Sequence, residues 1–239
     1  MRKDKELTIL ALDTAMNACS AGIWRNGAGM LASQSEPMLR GHAEALLPIT
    51  ELVLNEASLQ YSDLDAIAVT RGPGAFTGLR IGLSTAKAFG LALDIPVCGV
   101  TTFEALMETD KQNGLCHDHE YIAVLIETKR DDFYAQIFSP DGKPCSEAMA
   151  APAEEIMSQI EKISNNVTII GDANNRFAEV SGHKKNYEFR NISYASPLAI
   201  ATAACKKIIS KNTPISVEPL YIRPPDVSLP KTERRMIGS

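Results

Sequence analysis

The chain has 239 residues, 45% of them hydrophobic and 22% charged, with a formal net charge of −5. That apolar fraction excludes a chain dominated by disorder, which needs low hydrophobicity with high charge. The acidic balance argues against a lone chain gripping a phosphate backbone, which needs clustered Lys and Arg.

No apolar run approaches the roughly 20 residues of a membrane helix. The start MRKDKELTILALDTA is charged, and its short apolar run carries Asp13, so it does not read as a signal peptide. Five scattered cysteines without a CxxC pair fit a reduced, cytoplasmic protein without a structural zinc site.

Residues 7–13, LTILALD, read as a buried strand ending in a carboxylate. Residues 18–24 read as a second strand, Asn26-Gly27 as a hairpin turn, and 29–36 as the return strand. A helix follows over 42–57, with Leu46 and Val53 at the centre of a wide apolar arc that also takes in Leu47, Ile49, Leu52 and Leu54. A strand over 65–70, a helix over 77–93 and a strand over 95–100 complete a β-β-β-α-β-α-β order.

A similar order returns. Strands are expected at 121–127 and 132–138, with Asp141-Gly142 turning into a weak third strand near 144–150. A helix over 153–163, a strand over 166–171 and a short strand near 187–193 follow. Residues 196–210 read as a helix capped by Ser196, with Pro197 at its first position and lysines in its last turn. The repeated order suggests two related α/β lobes, 1–103 and 104–195, followed by an extended Pro-rich tail over 213–239.

The segment RGPGAFTGLRIGLSTAKAFGLAL, residues 71–93, is the most unusual. Gly72 and Gly74 flank Pro73 before a helix that Thr77 can cap. Such a corner either binds phosphate on free backbone N–H groups or simply joins strand to helix; it matches neither the Walker nor the GxGxxG pattern. Within the helix, Gly78, Gly82, Ala86 and Gly90 form a ridge at four-residue spacing. Each helical glycine costs about 1 kcal/mol relative to alanine, so close approach of another backbone is expected there. That backbone is either the chain's own sheet or a partner helix.

Asp13-Thr14 ends the first strand, where α/β sheets bind ligands; it reads equally as a structural cap. His42 and Glu44 do not share a helical face, which argues against a metal site, and His117 and His119 read as a solvated loop.

In order along the chain, ILALDTA, RGHAEALLP, RGPGAFTGLRIGLSTAKAFGLALDIPVCGVTTFEAL, IETKRDDFYAQIF and EPLYIRPP resemble the TsaB (YeaZ) family. That family is a bacterial subunit of the machinery that makes threonylcarbamoyladenosine in tRNA. The resemblance implies the actin-like, or sugar kinase and Hsp70-like, α/β fold: two lobes with mixed sheets, and a helix over 196–212 packing back on the first lobe.

It further implies a non-catalytic paralogue of the catalytic subunit TsaD, which dimerises with TsaD and activates it. The ATPase TsaE joins the larger complex, and tRNA is met only through that complex. Two departures from TsaD accompany the resemblance. Leu46 stands where a second metal-binding histidine would follow His42, and Asp172 stands where the second glycine of Gly-Gly would face a nucleotide. No catalytic residue, metal or cofactor is therefore expected, and ATP is expected to bind weakly.

The partner surface is assigned to Leu46, Ile49, Val53, Gly78, Gly82, Ala86 and Gly90, which would also serve a homodimer when TsaD is absent. The alternative is an independent enzyme of the fold, an ATP-dependent phosphotransferase or a glycoprotease-like peptidase. The basic pairs Lys184-Lys185 and Arg234-Arg235 read as solvated faces.

Overall fold

The computed structural model describes residues 6–114, 121–128, 130–164, 166–182, 187–210 and 216–223. Its first half runs β1 (Thr8–Asp13), β2 (Ala18–Arg25), β3 (Gly29–Pro37), α1 (His42–Glu56), β4 (Ala66–Thr70), α2 (Phe76–Leu93), β5 (Val97–Val100) and α3 (Thr102–Gln112). The second half runs β6 (Tyr121–Glu127), β7 (Phe133–Phe138), β8 (Met149–Ala151), α4 (Ala153–Ile163), β9 (Val167–Gly171), α5 (Asn174–Ser181), β10 (Glu188–Asn191) and α6 (Pro197–Ser210). His117, His119, Lys184-Lys185 and Arg234-Arg235 lie outside the described residues.

The two sheets have one topology. The first is ordered β3-β2-β1-β4-β5 and the second β8-β7-β6-β9-β10. In each, the leading strand pairs antiparallel with the second strand and parallel with the fourth. The repeated order expected from the sequence is therefore a repeated mixed sheet.

Both leading strands are covered on both sides, which is why they read as unbroken apolar runs rather than alternating ones. In β1, Leu10 and Leu12 join the cluster made with α1 and α2, while Ile9 and Ala11 join the one made with α3 and α6. The second sheet repeats this. Ala123 and Leu125 of β6 meet α4 and α5, and Ile122, Val124 and Ile126 face the central cluster. Five layers result, with α3 and α6 in the middle.

Helix α6 buries Ala199, Ile200, Ala201 and Ala204 between the first sheet and α3. Ser196 Oγ accepts the Ala199 N–H at 3.0 Å, which starts it. Gly22 makes room for that start, since a Cβ there would sit 2.6 Å from Pro197 Cβ. A buried ion pair between Arg190 of β10 and Asp110 of α3, 2.8 Å long, ties the middle layer to the second sheet.

Two helices were not expected. In α3, Thr101 and Glu104 form a reciprocal capping box, and α5 begins directly after β9 at Asn174. The third strand of the second lobe is shorter than expected, spanning 149–151. Helix α2 begins one residue earlier than expected; Ala75 is its N-cap, and no side chain caps it.

The ridge on α2 and the central residues of α1 are a correction to the partner-surface assignment. Leu46, Ile49 and Val53 are at most 3% exposed and belong to the cluster between α1 and the first sheet. On α2, a Cβ at Gly78 would overlap the Thr14 carbonyl, and one at Gly82 would lie 2.5 Å from Thr14 Oγ1. A Cβ at Gly90 would overlap the Val97 side chain, and Ala86 is fully buried. The backbone that approaches the ridge is thus the chain's own. What α1 and α2 turn outward is Leu47, Leu52 and Leu91, exposed by 49%, 41% and 87%.

Gly82→Arg should consequently unfold the chain. It forces a charge into the contact with Thr14, and an unpaired buried charge costs roughly 3–5 kcal/mol, a large part of a domain's stability. Leu52→Arg should melt within a few degrees of the parent chain. A cooperative, parent-like melt of Gly82→Arg by circular dichroism would contradict this packing.

Candidate functional site

A cleft of about 560 Å³ opens between the lobes. Its first-lobe wall is the turn Ala15–Asn17 after β1 and the corner Pro73–Phe76 that opens α2. Its second-lobe wall is the end of β6 with Thr128, Arg130, Tyr134 and Asp172. The four residues Leu220–Arg223 of the tail close one side.

The first wall is locked by β1. Asp13 is fully buried; its Oδ1 accepts from Thr70 Oγ1 at 2.5 Å and from the Ala15 N–H at 2.9 Å. Oδ2 has no hydrogen-bond partner among the described residues. Burial pushes the Asp13 carboxyl above its ordinary range, against the opposing pull of these hydrogen bonds and of His42. Thr14 Oγ1 donates to the Gly78 carbonyl at 2.7 Å, and Ala75 N–H donates to the Ala15 carbonyl at 2.8 Å. Asp13-Thr14 therefore shapes the turn from behind, with Asp13 fully buried and bonded within the turn instead of capping a helix.

His42 starts α1 nearly buried, its Nε2–H directed to the Met16 carbonyl at 3.3 Å. Four residues on, Leu46 lies in the core. His42 and Glu44 do not come together: Glu44 is exposed in the first turn.

The second wall is a network of charges. Arg176 of α5 makes two bonds to the Glu127 carboxylate, 2.7 and 2.9 Å, lies 3.7 Å over the Phe133 ring, and donates to the Asp132 carbonyl. Asp172 Oδ1 accepts the Glu127 N–H at 2.9 Å, so its carboxylate tethers the end of β6. Gly171 immediately before it has φ +127° and touches Leu125, which demands glycine. Thr128 Oγ1 donates to the Asp132 carboxylate, which also meets Arg223 of the tail.

Three thiols are buried and one, Cys145, is exposed among the described cysteines. Burial pushes Cys19 up to about 12 and Cys98 to about 11, which makes both poor nucleophiles. Among the described residues no three His, Cys, Asp or Glu side chains gather as a metal site, and no helix is long and apolar enough to cross a membrane.

Sequence reasoning missed Arg80, Asp132 and Arg176, which hold residues of the cleft walls in place, and Phe76, Tyr221 and Arg223, which line the cleft. The signal for the last two is EPLYIRPP, where an aromatic and an arginine stand among prolines late in the chain.

Residues 32–222 match the family model described as TsaD, tRNA N6-adenosine threonylcarbamoyltransferase. The chain is 26% identical to the Escherichia coli tRNA threonylcarbamoyladenosine biosynthesis protein TsaB over 228 residues, 91% of this chain and 95% of that one. It belongs to the TsaB/YeaZ family.

An uncharacterized Mycobacterium tuberculosis protein is 46% identical over 100 residues, 41% of this chain; the chain spans about half, 47%, of that relative's length. The fold agrees. A Pseudomonas aeruginosa structure described as similar to peptidase YeaZ superposes with a TM-score of 0.78 at 25% identity, covering 91% of this chain and all of that one. A candidate N-acetylmannosamine kinase from Listeria monocytogenes superposes at 0.50 with 12% identity, over 86% of this chain and all of that one. Together with the repeated mixed sheet, these place the chain in the actin-like, sugar kinase and Hsp70-like class.

A carboxyl whose pKa is raised by folding holds its proton more tightly in the folded chain. Its contribution is most favourable below the ordinary value of 3.8 and is lost as pH rises above it. Asp13→Asn keeps an acceptor for Ala15 and Thr70 and removes the charge. Its melting temperature should gain on the parent's as pH rises from about 4 to about 7. A difference that stays constant across that window would contradict the assignment.

Proposed function

We propose that this chain is the non-catalytic, activating subunit that pairs with a TsaD-type threonylcarbamoyltransferase in making threonylcarbamoyladenosine in tRNA. Membership of the family and the E. coli relative's name support the pathway. The observation that carries the subunit role is the outer face of α1 and α2. These helices cover the same side of the first sheet, spend their small and central apolar residues on it, and still turn Leu47, Leu52 and Leu91 to solvent. Single exposed leucines need no explanation, but three on adjoining helices favour an apolar partner.

The partner surface is accordingly the helix pair first assigned, with different residues. The buried Leu46, Ile49, Val53, Gly78, Gly82, Ala86 and Gly90 hold the helices at the right height. Leu47, Leu52 and Leu91 make the contact, and a second copy of the chain would use the same face when the partner is missing. TsaE and tRNA join through the paired subunits. The TsaD-like position Leu46 is core, His42 is engaged by Met16, and Asp172 is engaged by Glu127. All three support a fold in which the ancestral site residues now serve packing.

The test is size-exclusion chromatography of the chain mixed with a TsaD-type protein, beside calorimetry with ATP. The parent chain should co-elute, whereas Leu52→Arg with Leu91→Arg should run alone while melting normally. ATP should give no low-micromolar binding. Co-elution of the double variant would refute the surface, and turnover of ATP or a peptide by the isolated chain would favour the independent-enzyme reading.

A further inference from the structure

The motif EPLYIRPP is absorbed by neither the core nor the partner face, and its described part, up to Arg223, does something specific. The Leu220 N–H donates to the Arg71 carbonyl at 2.7 Å, alongside the end of β4, and the Arg71 guanidinium donates to the Glu218 carbonyl at 3.3 Å. Lys87 of α2 pairs with the Glu218 carboxylate at 3.1 Å. The Tyr221 ring packs on Phe76 with centroids 5.4 Å apart, and its hydroxyl accepts from Arg80 Nε at 3.3 Å while the Arg80 guanidinium covers the Phe76 ring. All these partners belong to the first lobe. Arg223 then reaches the other lobe and pairs with Asp132.

The first lobe carries a seat for this segment. A Cβ at Gly99, in the interior of β5, would overlap the Ser216 carbonyl, and one at Gly72 would stand 2.9 Å from the Leu220 carbonyl. A mid-strand glycine weakens a strand unless another backbone approaches closely; at Gly99 that backbone is the tail.

We propose that residues 216–223 form a strap, seated on the first lobe and latched to the second by Arg223–Asp132, that holds the interlobe cleft closed. The seat is broad and the latch is one ion pair, so the two can fail separately. Losing the latch frees the lobes to part while the strap stays on the first lobe. Losing the seat removes the strap, and with it the side of the cleft formed by Leu220, Tyr221 and Ile222, which exposes the apolar walls of the two lobes. Access to the cleft is then set by the tail and is independent of the outer helix face.

Hydrogen exchange and binding of the apolar dye anilinonaphthalene sulfonate, measured on the full chain alone, test this. In the parent chain the Leu220 amide should be protected and dye binding low. Gly99→Ala alters no strap residue, yet it should speed Leu220 exchange about tenfold or more and raise dye binding. Arg223→Ser should raise dye binding while Leu220 stays protected. Exchange within β1 and β6 should be the same in all of them, which separates strap release from unfolding. A parent chain whose Leu220 amide exchanges as an open coil would overturn the strap, as would Gly99→Ala and Arg223→Ser chains with parent-like dye binding.

Discussion

Much of this molecule depends on the contact between Thr14 and the first turns of α2. The backbone of Gly78 meets the Thr14 carbonyl, the Gly78 carbonyl accepts the Thr14 hydroxyl, and Gly82 leaves space for that hydroxyl. A helix can come this close to the end of a strand only where side chains are absent, and the helix loses about 1 kcal/mol per glycine in exchange. Because α2 sits low, the corner before it forms one wall of the cleft. Phe76 and Arg80, at the start of α2, stand where the tail can reach them. The cleft wall and the contacts of the tail with Phe76 and Arg80 both follow from that close approach.

Buried polarity reinforces that geometry. Asp13 is placed under the same turn and holds it through Ala15 and Thr70, with its charge disfavoured by burial. Across the cleft the carboxylates of Glu127, Asp132 and Asp172 all have partners within the chain. Acidic groups engaged in this way position the backbone around the cleft. These carboxylates are thus engaged within the architecture of the fold class, in keeping with the proposed subunit role.

Much of the architecture was legible. The apolar runs at 7–13 and 121–127, the Asn26-Gly27 turn, the helical arc from His42 and the Ser196-Pro197 start all correspond to observed elements, because each is governed by local periodicity or capping. Helix α3 is legible too, since Thr101 and Glu104 stand in capping-box spacing. Helix α5 is harder: it is eight residues long and follows β9 after two. The glycine ridge shows where sequence stops. Four-residue spacing requires a backbone nearby and does not say which one; only the position of Thr14, 64 residues earlier than Gly78, decides it. The cleft mouth was least legible, because Tyr221 and Arg223 act on Phe76 and Asp132, and nothing local links such distant positions.

The central claim is a division of labour on α1 and α2, with the inner ridge serving the fold and the outer leucines serving a partner. Hydrogen-exchange footprinting of the chain with and without a TsaD-type subunit tests it most directly. The account predicts that slowing on complex formation centres on 47–55 and 84–92, with the second sheet and α4 unchanged. Slowing centred on α4 and α5, with α1 and α2 exchanging as in the free chain, would contradict it.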